Sequence, residues 1–125
     1  YQDISKVMPF CNEMHLAYVA SDLAIVRSGA SSLAEISAYA IPAILVPYPF
    51  ATDDHQTLNA NYYVKNGAAR LIKEEQLNTD SLFSFIDELF KDDGKCYREM
   101  KTSMKNLSRV DSAEKICDKI NNLCN

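Results

Sequence analysis

Two unbroken apolar runs, Leu23-Ala24-Ile25-Val26 and Ala43-Ile44-Leu45-Val46, dominate the first half of the chain. They show neither the alternation of a half-exposed strand nor the three-to-four spacing of a surface helix. Continuous runs of this length are expected of parallel strands covered on both faces. A third run, Ala69 to Ile72, reads as the next strand, and Lys6 to Phe10 as a short one ahead of them. Between the runs the pattern turns helical. Glu13 to Ser21 predicts a helix with Met14, Ala17 and Tyr18 inward. Ser32 to Ala40 predicts a second, ended by Pro42, and Asp54 to Asn66 a third, closed by Gly67.

Beyond Ile72 the chain reads as helix alone. Asn78 to Phe90 gathers Leu82, Phe85, Ile86, Leu89 and Phe90 on one stripe. Asp92-Asp93-Gly94 is a turn, and Lys95 to Leu107 a further amphipathic helix. Asp111 is placed to cap a last one, with Ile116, Cys117, Ile120 and Leu123 inward. Strands and helices alternating over short links indicate βαβ units with right-handed crossovers. The fold class expected is α/β, a Rossmann-like doubly wound parallel sheet followed by C-terminal helices.

Composition narrows this picture only a little. The 125 residues are 47% hydrophobic and 24% charged, enough for one domain with a real core. A net charge of −4 argues against a nucleic-acid partner held through its phosphates. No run approaches the roughly 18 apolar residues of a transmembrane helix. Cys11, Cys96, Cys117 and Cys124 form no CxxC pair and have no neighbouring histidine, so they read as reduced thiols; no metal site is expected. Charges such as Lys101, Lys105 and Lys115 read as solvated faces.

The candidate chemistry lies where strand gives way to helix. Arg27-Ser28-Gly29-Ala30-Ser31-Ser32-Leu33-Ala34-Glu35 joins the first apolar run to a helix. A small-residue turn at a helix N-terminus binds phosphate through unpaired N–H groups and the positive dipole end. Gly29 is expected there for positive φ or for close approach of a ligand. Glu35, about one turn on, is placed to accept two hydroxyl hydrogen bonds from a ribose. Ser32-x-x-Glu35 is equally a capping box, and that alternative stands beside the first. After the second run, Asp53-Asp54-His55-Gln56-Thr57-Leu58-Asn59 puts Gln56 and Asn59 on one helical face. Their amides suit the mixed hydroxyls of a sugar. The plainer alternative has Asp54 capping the helix and both amides merely solvated.

Taken in order, five segments carry a resemblance. They are Pro9-Phe10-x-x-x-Met14, Arg27-Ser28-Gly29-Ala30-x-Ser32-x-x-Glu35, Val46-Pro47-Tyr48-Pro49, Asp54-His55-Gln56-x-x-Asn59-Ala60 and Gly67-Ala68-Ala69. Together they resemble the MurG family, the peptidoglycan N-acetylglucosaminyltransferases that act on lipid I. The match runs from about Val7 to Ile72, within the later part of the family's C-terminal, donor-binding half. Ser32 stands for the usual threonine, and Ala40 where the family commonly has glycine before Ile41-Pro42.

The resemblance implies the C-terminal half of a GT-B glycosyltransferase, residues 1–125 being part of its UDP-GlcNAc-binding domain. Phe10 would wall the uracil and Cys11 contact it through the backbone. Ser28, Gly29, Ala30, Ser31, Ser32, Leu33 and Ala34 would form the turn and helix start that hold diphosphate and reach the sugar. Glu35 would take the ribose hydroxyls, and Gln56 and Asn59 those of GlcNAc. It also implies UDP-GlcNAc as donor, lipid I as acceptor held by a domain missing here, and no cofactor. The expected location is cytoplasmic, peripheral on the inner face of the plasma membrane. No Asp-x-Asp motif calls for a metal. No catalytic base is expected in this chain, since the family's lies in its N-terminal half. The abrupt start at Tyr1 is expected of a fragment or excised domain. The enzyme rival is another UDP-sugar transferase of the same architecture; the rival of another class is a non-catalytic nucleotide-sugar-binding module.

Overall fold

The computed structural model describes residues 5–51 and 54–123. The motif residue Asp53 and the thiol Cys124 lie outside the described residues, as does Tyr1. Elements follow the order α1 (Met14–Val19), β1 (Ala24–Val26), α2 (Ala30–Ala38), β2 (Ala43–Leu45), α3 (His55–Lys65), β3 (Ala69–Leu71), α4 (Thr79–Asn106) and α5 (Ser112–Leu123). A short 3₁₀ turn, Glu74–Gln76, links β3 to α4.

The three strands lie side by side in chain order, all parallel. Ile25 pairs with Ile44, and Ile44 with Arg70. The ladder continues past Leu45, where Val46 N–H donates to the Val26 carbonyl at 2.9 Å. The continuous apolar character of β2 now has its reason: alternate residues enter different cores. Ala43 and Leu45 pack with Leu33, Ile36, Ala60 and Met104. Ile44 and Val46 pack with Phe85, Leu89 and Met100 on the other side. The central strand β2 is therefore covered on both faces. Ile25 and Arg70, beside Ile44, are exposed, so the two-sided burial expected of the first apolar run is not met. The carboxyl edge of the sheet is open to a ligand. Strand order does not reverse among these three strands, so the expected double winding is represented only by helices on both faces.

Helix exits were legible. α3 ends at Asn66 with Gly67 at φ 71°, and Ala68 N–H donates to the Tyr63 carbonyl at 2.9 Å. That is the Schellman arrangement. α2 ends in the same way, but with an alanine in the left-handed position: Ala40 has φ 54°, and Ile41 N–H donates to Ile36 C=O at 3.0 Å. The turn expected at Asp92-Asp93-Gly94 breaks α4 into two arms, all three residues having positive φ. Phe90 and Tyr97 stack across the break at 5.2 Å. Asn78 and Ser81 form a reciprocal capping box at the start of α4.

Three further expectations fail. Lys6 to Phe10 is not a strand; it runs exposed ahead of α1, with no ladder bonds to hold it. In α1, Met14 is 42% exposed rather than inward. The apolar stripe of α5 is also uncovered, Ile116 being 59% and Leu123 86% exposed. A helical pattern predicts a face that wants burial; it does not guarantee that the described chain supplies the surface. No helix among the described residues is long and apolar enough to cross a membrane.

Candidate functional site

At the carboxyl end of β1 the chain passes through Arg27, Ser28 and Gly29 into α2. Gly29 is the N-cap, with φ −68° and ψ 146°, an extended conformation open to any residue. The positive φ expected of it is not found. A Cβ added there would meet no heavy atom within 4 Å, so the fold leaves free space over this backbone. The first helical bond runs from Leu33 N–H to the Gly29 carbonyl at 3.0 Å. The N–H groups of Ala30, Ser31 and Ser32 precede it and point out of the helix end, where the dipole is positive.

The capping box at Ser32 and Glu35 is overturned. α2 begins two residues earlier than the sequence suggested, because Ala30 and Ser31 are small enough to enter the helix behind an extended glycine. Ser32 is therefore a third helical residue, and no side chain caps the helix. Glu35 is directed to α1 instead: the Tyr18 hydroxyl donates to Glu35 Oε2 at 2.5 Å. The Tyr18 ring lies 5.3 Å from that of Tyr39. The Tyr18 phenol is pushed up to about 12, first by its hydrogen bond to Glu35 and then by burial. Tyr18 and Glu35 share with Met14, His15 and Tyr39 a hollow of about 300 Å³.

Ser28, 0% exposed, is the hub joining this turn to α3. Its Oγ donates to the Gln56 carbonyl at 2.8 Å, and Asn59 Nδ2 donates to the Ser28 carbonyl at 3.1 Å. Tyr48 N–H donates to Gln56 Oε1 at 2.9 Å. These partners fix both amide orientations and, among the described residues, leave Gln56 Nε2 and Asn59 Oδ1 unbonded. Gln56 and Asn59 thus share a face as expected, yet each also holds the two loops together. The Asp54 cap is not formed: Asp54 sits at φ 52°, and from this left-handed position its carboxylate makes no capping bond.

Arg27 clamps a third segment. Its Nη1 donates to the carbonyls of Val46 and Pro47, each at 3.3 Å, and to Glu74 Oε2 at 2.8 Å. Its guanidinium carbon lies 5.6 Å from the Tyr48 ring centroid. The Arg27 hydrogen bond holds the Glu74 carboxyl below the usual range. Beside this clamp, at the ends of β2 and β3, lies the larger hollow of about 570 Å³, lined by Pro47, Phe50, Thr57, Lys73 and Glu74 among others.

The structure therefore brings Ser28 together with Gln56 and Asn59, and sets Glu35 against Tyr18 of α1. Phe10, 76% exposed, and Cys11 precede α1 and join none of these hydrogen bonds among the described residues. Sequence reading missed the partnership of Tyr18, taken there as an inward core residue, and the clamp partner Glu74. Both contacts span long separations, 17 and 47 residues, and no local spacing signals them. Among the described residues no group of three or more His, Cys, Asp or Glu could hold a metal ion. Cys11, Cys96 and Cys117 are free thiols.

Comparison with known proteins gives the family and the fold. The model of the glycosyltransferase family 28 C-terminal domain matches residues 1–116. The chain is 46% identical over 104 residues to the UDP-N-acetylglucosamine–N-acetylmuramyl-(pentapeptide) pyrophosphoryl-undecaprenol N-acetylglucosamine transferase of Halothermothrix orenii, covering 83% of this chain and 28% of that one. The protein of the same name from Methylococcus capsulatus is 43% identical over 119 residues, 93% and 33% of the two chains. The chain thus spans a third or less of these relatives. A crystal structure of Acinetobacter baumannii MurG superposes with a TM-score of 0.82 at 29% identity, over 94% of this chain and 33% of that one. The glycotransferase of kitacinnamycin, at 20% identity and a TM-score of 0.58 over 82% of this chain and 26% of that one, shares the fold.

Proposed function

The chain belongs to the glycosyltransferase family 28 C-terminal domain family, and from that premise we propose that it is the donor-binding part of an inverting N-acetylglucosaminyltransferase. UDP-GlcNAc is the donor, and the acceptor is lipid I, held by a domain outside this chain. The observation that carries the reading is the open helix start: three outward N–H groups at Ala30, Ser31 and Ser32 under free space at Gly29. They suit a diphosphate, and Glu35 one turn on suits a ribose. Gln56 Nε2 and Asn59 Oδ1, tied to the same turn through Ser28, suit GlcNAc hydroxyls. Phe10 and Cys11 are assigned to the uracil end. The names of the relatives support the substrates.

The chemistry assigned to this chain is electrostatic. The acceptor hydroxyl attacks the anomeric carbon and gives its proton to a base outside this chain, the bond from that carbon to the diphosphate breaks, and UDP leaves. Charge grows on the diphosphate as this happens, and pre-aimed N–H donors stabilise it without reorganising. None of these residues is assigned the role of base. The product is lipid II for peptidoglycan, and through it for cell wall growth, cell shape and division. A UDP-sugar donor and a lipid-linked acceptor are what support a site of action for the intact enzyme on the cytoplasmic membrane face.

Calorimetry on the chain should show UDP-GlcNAc binding, while labelled UDP-GlcNAc with a lipid I analogue should give no sustained transfer. Preference for a different nucleotide would refute the donor assignment. Turnover in the common enzyme range of roughly 1–10³ s⁻¹ would show that the acceptor site and base lie within this chain after all.

A further inference from the structure

We propose that Tyr18 is a positioning residue for nucleotide recognition: its hydroxyl anchors one oxygen of the Glu35 carboxylate so that the other faces the hydroxyls of a ribose. This rests on the reading of Glu35 as the ribose carboxylate and names the group that aims it. Glu35 is exposed on α2, and a free glutamate there would sample several rotamers. The Tyr18 bond at 2.5 Å uses Oε2. Oε1 is left to accept from a ligand, a carboxylate having lone pairs for about four such bonds.

Tyr18 is itself held. Its ring packs at 5.3 Å on Tyr39, which follows Glu35 by one helical turn. The pair therefore spans α1 and α2 and floors the hollow that Glu35 lines with Met14 and His15. The alternative for Glu35, a helix cap, is already excluded by where α2 begins. A phenol is an uncharged donor at neutral pH, so it fixes the carboxylate without neutralising it. A lysine or arginine in the same place would pair the charge that a diol has to use.

The test is binding of UDP and 2′-deoxy-UDP to the chain and to its Tyr18→Phe, Glu35→Gln and doubly substituted variants, by calorimetry or ligand-observed NMR. The ratio of the two affinities is the readout, because partial unfolding lowers both and leaves the ratio alone. The unsubstituted chain should prefer UDP. Tyr18→Phe should narrow that preference by about three- to tenfold, the range for one modest hydrogen bond. The double variant should narrow it no further than Glu35→Gln alone, since Tyr18 acts only through Glu35. If Glu35→Gln narrows the ratio and Tyr18→Phe does not, Tyr18 is structural and the proposal is overturned while Glu35 keeps its role. A preference that grows in Tyr18→Phe overturns it too, showing the phenol competing with the ribose. A ratio untouched by Glu35→Gln overturns both readings.

Discussion

Gly29→Ala separates what the fold needs from what a ligand needs. In the folded chain this residue uses no conformation reserved for glycine, its φ being −68°, and an added methyl meets nothing within 4 Å. Two small opposing terms remain. Alanine is a poorer N-cap than glycine by roughly 1 kcal/mol. Replacing glycine at a compatible position recovers about 0.4–1 kcal/mol through the unfolded chain. The net change in stability should lie within about 1 kcal/mol of zero. Binding should respond differently. A diphosphate drawn onto the Ala30, Ser31 and Ser32 N–H groups passes over the Gly29 backbone, and a methyl there forces it or the helix start to shift. Overpacking of that kind costs roughly 1–3 kcal/mol, or about 5- to 150-fold in affinity for UDP. Paired urea melts and UDP calorimetry on both proteins make the comparison. Unchanged UDP affinity in the alanine protein would refute the close approach. A stability loss well beyond the stated range would mean that glycine serves the fold.

Three further outcomes are expected. Tyr18 should titrate near 12, and Glu35→Gln should return it toward the ordinary tyrosine value of 10.0, followed by ring-carbon NMR against Tyr18→Phe. Because the folded chain holds this proton more tightly than the unfolded one, the stabilisation is complete below pH 10.0 and is lost as pH rises through about 12; a flat stability profile across that window would contradict the bond. Ala40→Gly should raise stability by about 0.5–1 kcal/mol in denaturant melts, since relief of the left-handed cost exceeds glycine's unfolded-state penalty; a lower midpoint would show that Ala40 is not strained. Gln56→Ala should weaken UDP-GlcNAc more than UDP in calorimetry, and equal losses would confine Gln56 to its bond with Tyr48.

What could be read beforehand follows from the range of the forces involved. β2 was legible because two-sided burial writes itself as an unbroken apolar run; β1 carries such a run although Ile25 is 48% exposed, and in β3 the run is broken by the exposed Arg70. Gly67 was legible because a helix exit needs a left-handed residue. The start of α2 was not: Ser32 and Glu35 satisfy a cap pattern, and only packing decides that Gly29 precedes the helix instead. Lys6 to Phe10 carries apolar residues like a strand, but strand formation requires a neighbour, which its own residues do not encode. In the candidate site, the small-residue turn at the start of α2 and the shared face of Gln56 and Asn59 were visible as spacing. The Tyr18–Glu35 and Arg27–Glu74 bonds join residues whose proximity exists only after the chain folds.

The Ser28 hub has a consequence for how this surface can change over generations. Its hydroxyl, its carbonyl, the Gln56 main chain and the Asn59 amide satisfy one another. Loss of the Ser28 hydroxyl or of the Asn59 amide strands a part-buried main-chain carbonyl, that of Gln56 or that of Ser28. Each bond pairs a side chain with main chain, so a second substitution among positions 28, 56 and 59 cannot remove the stranded carbonyl, and the cost of each change stands. Change at Asn59 is therefore constrained by the backbone of the Ser28 turn and not only by whatever its side chain faces, which keeps the turn and α3 from drifting apart.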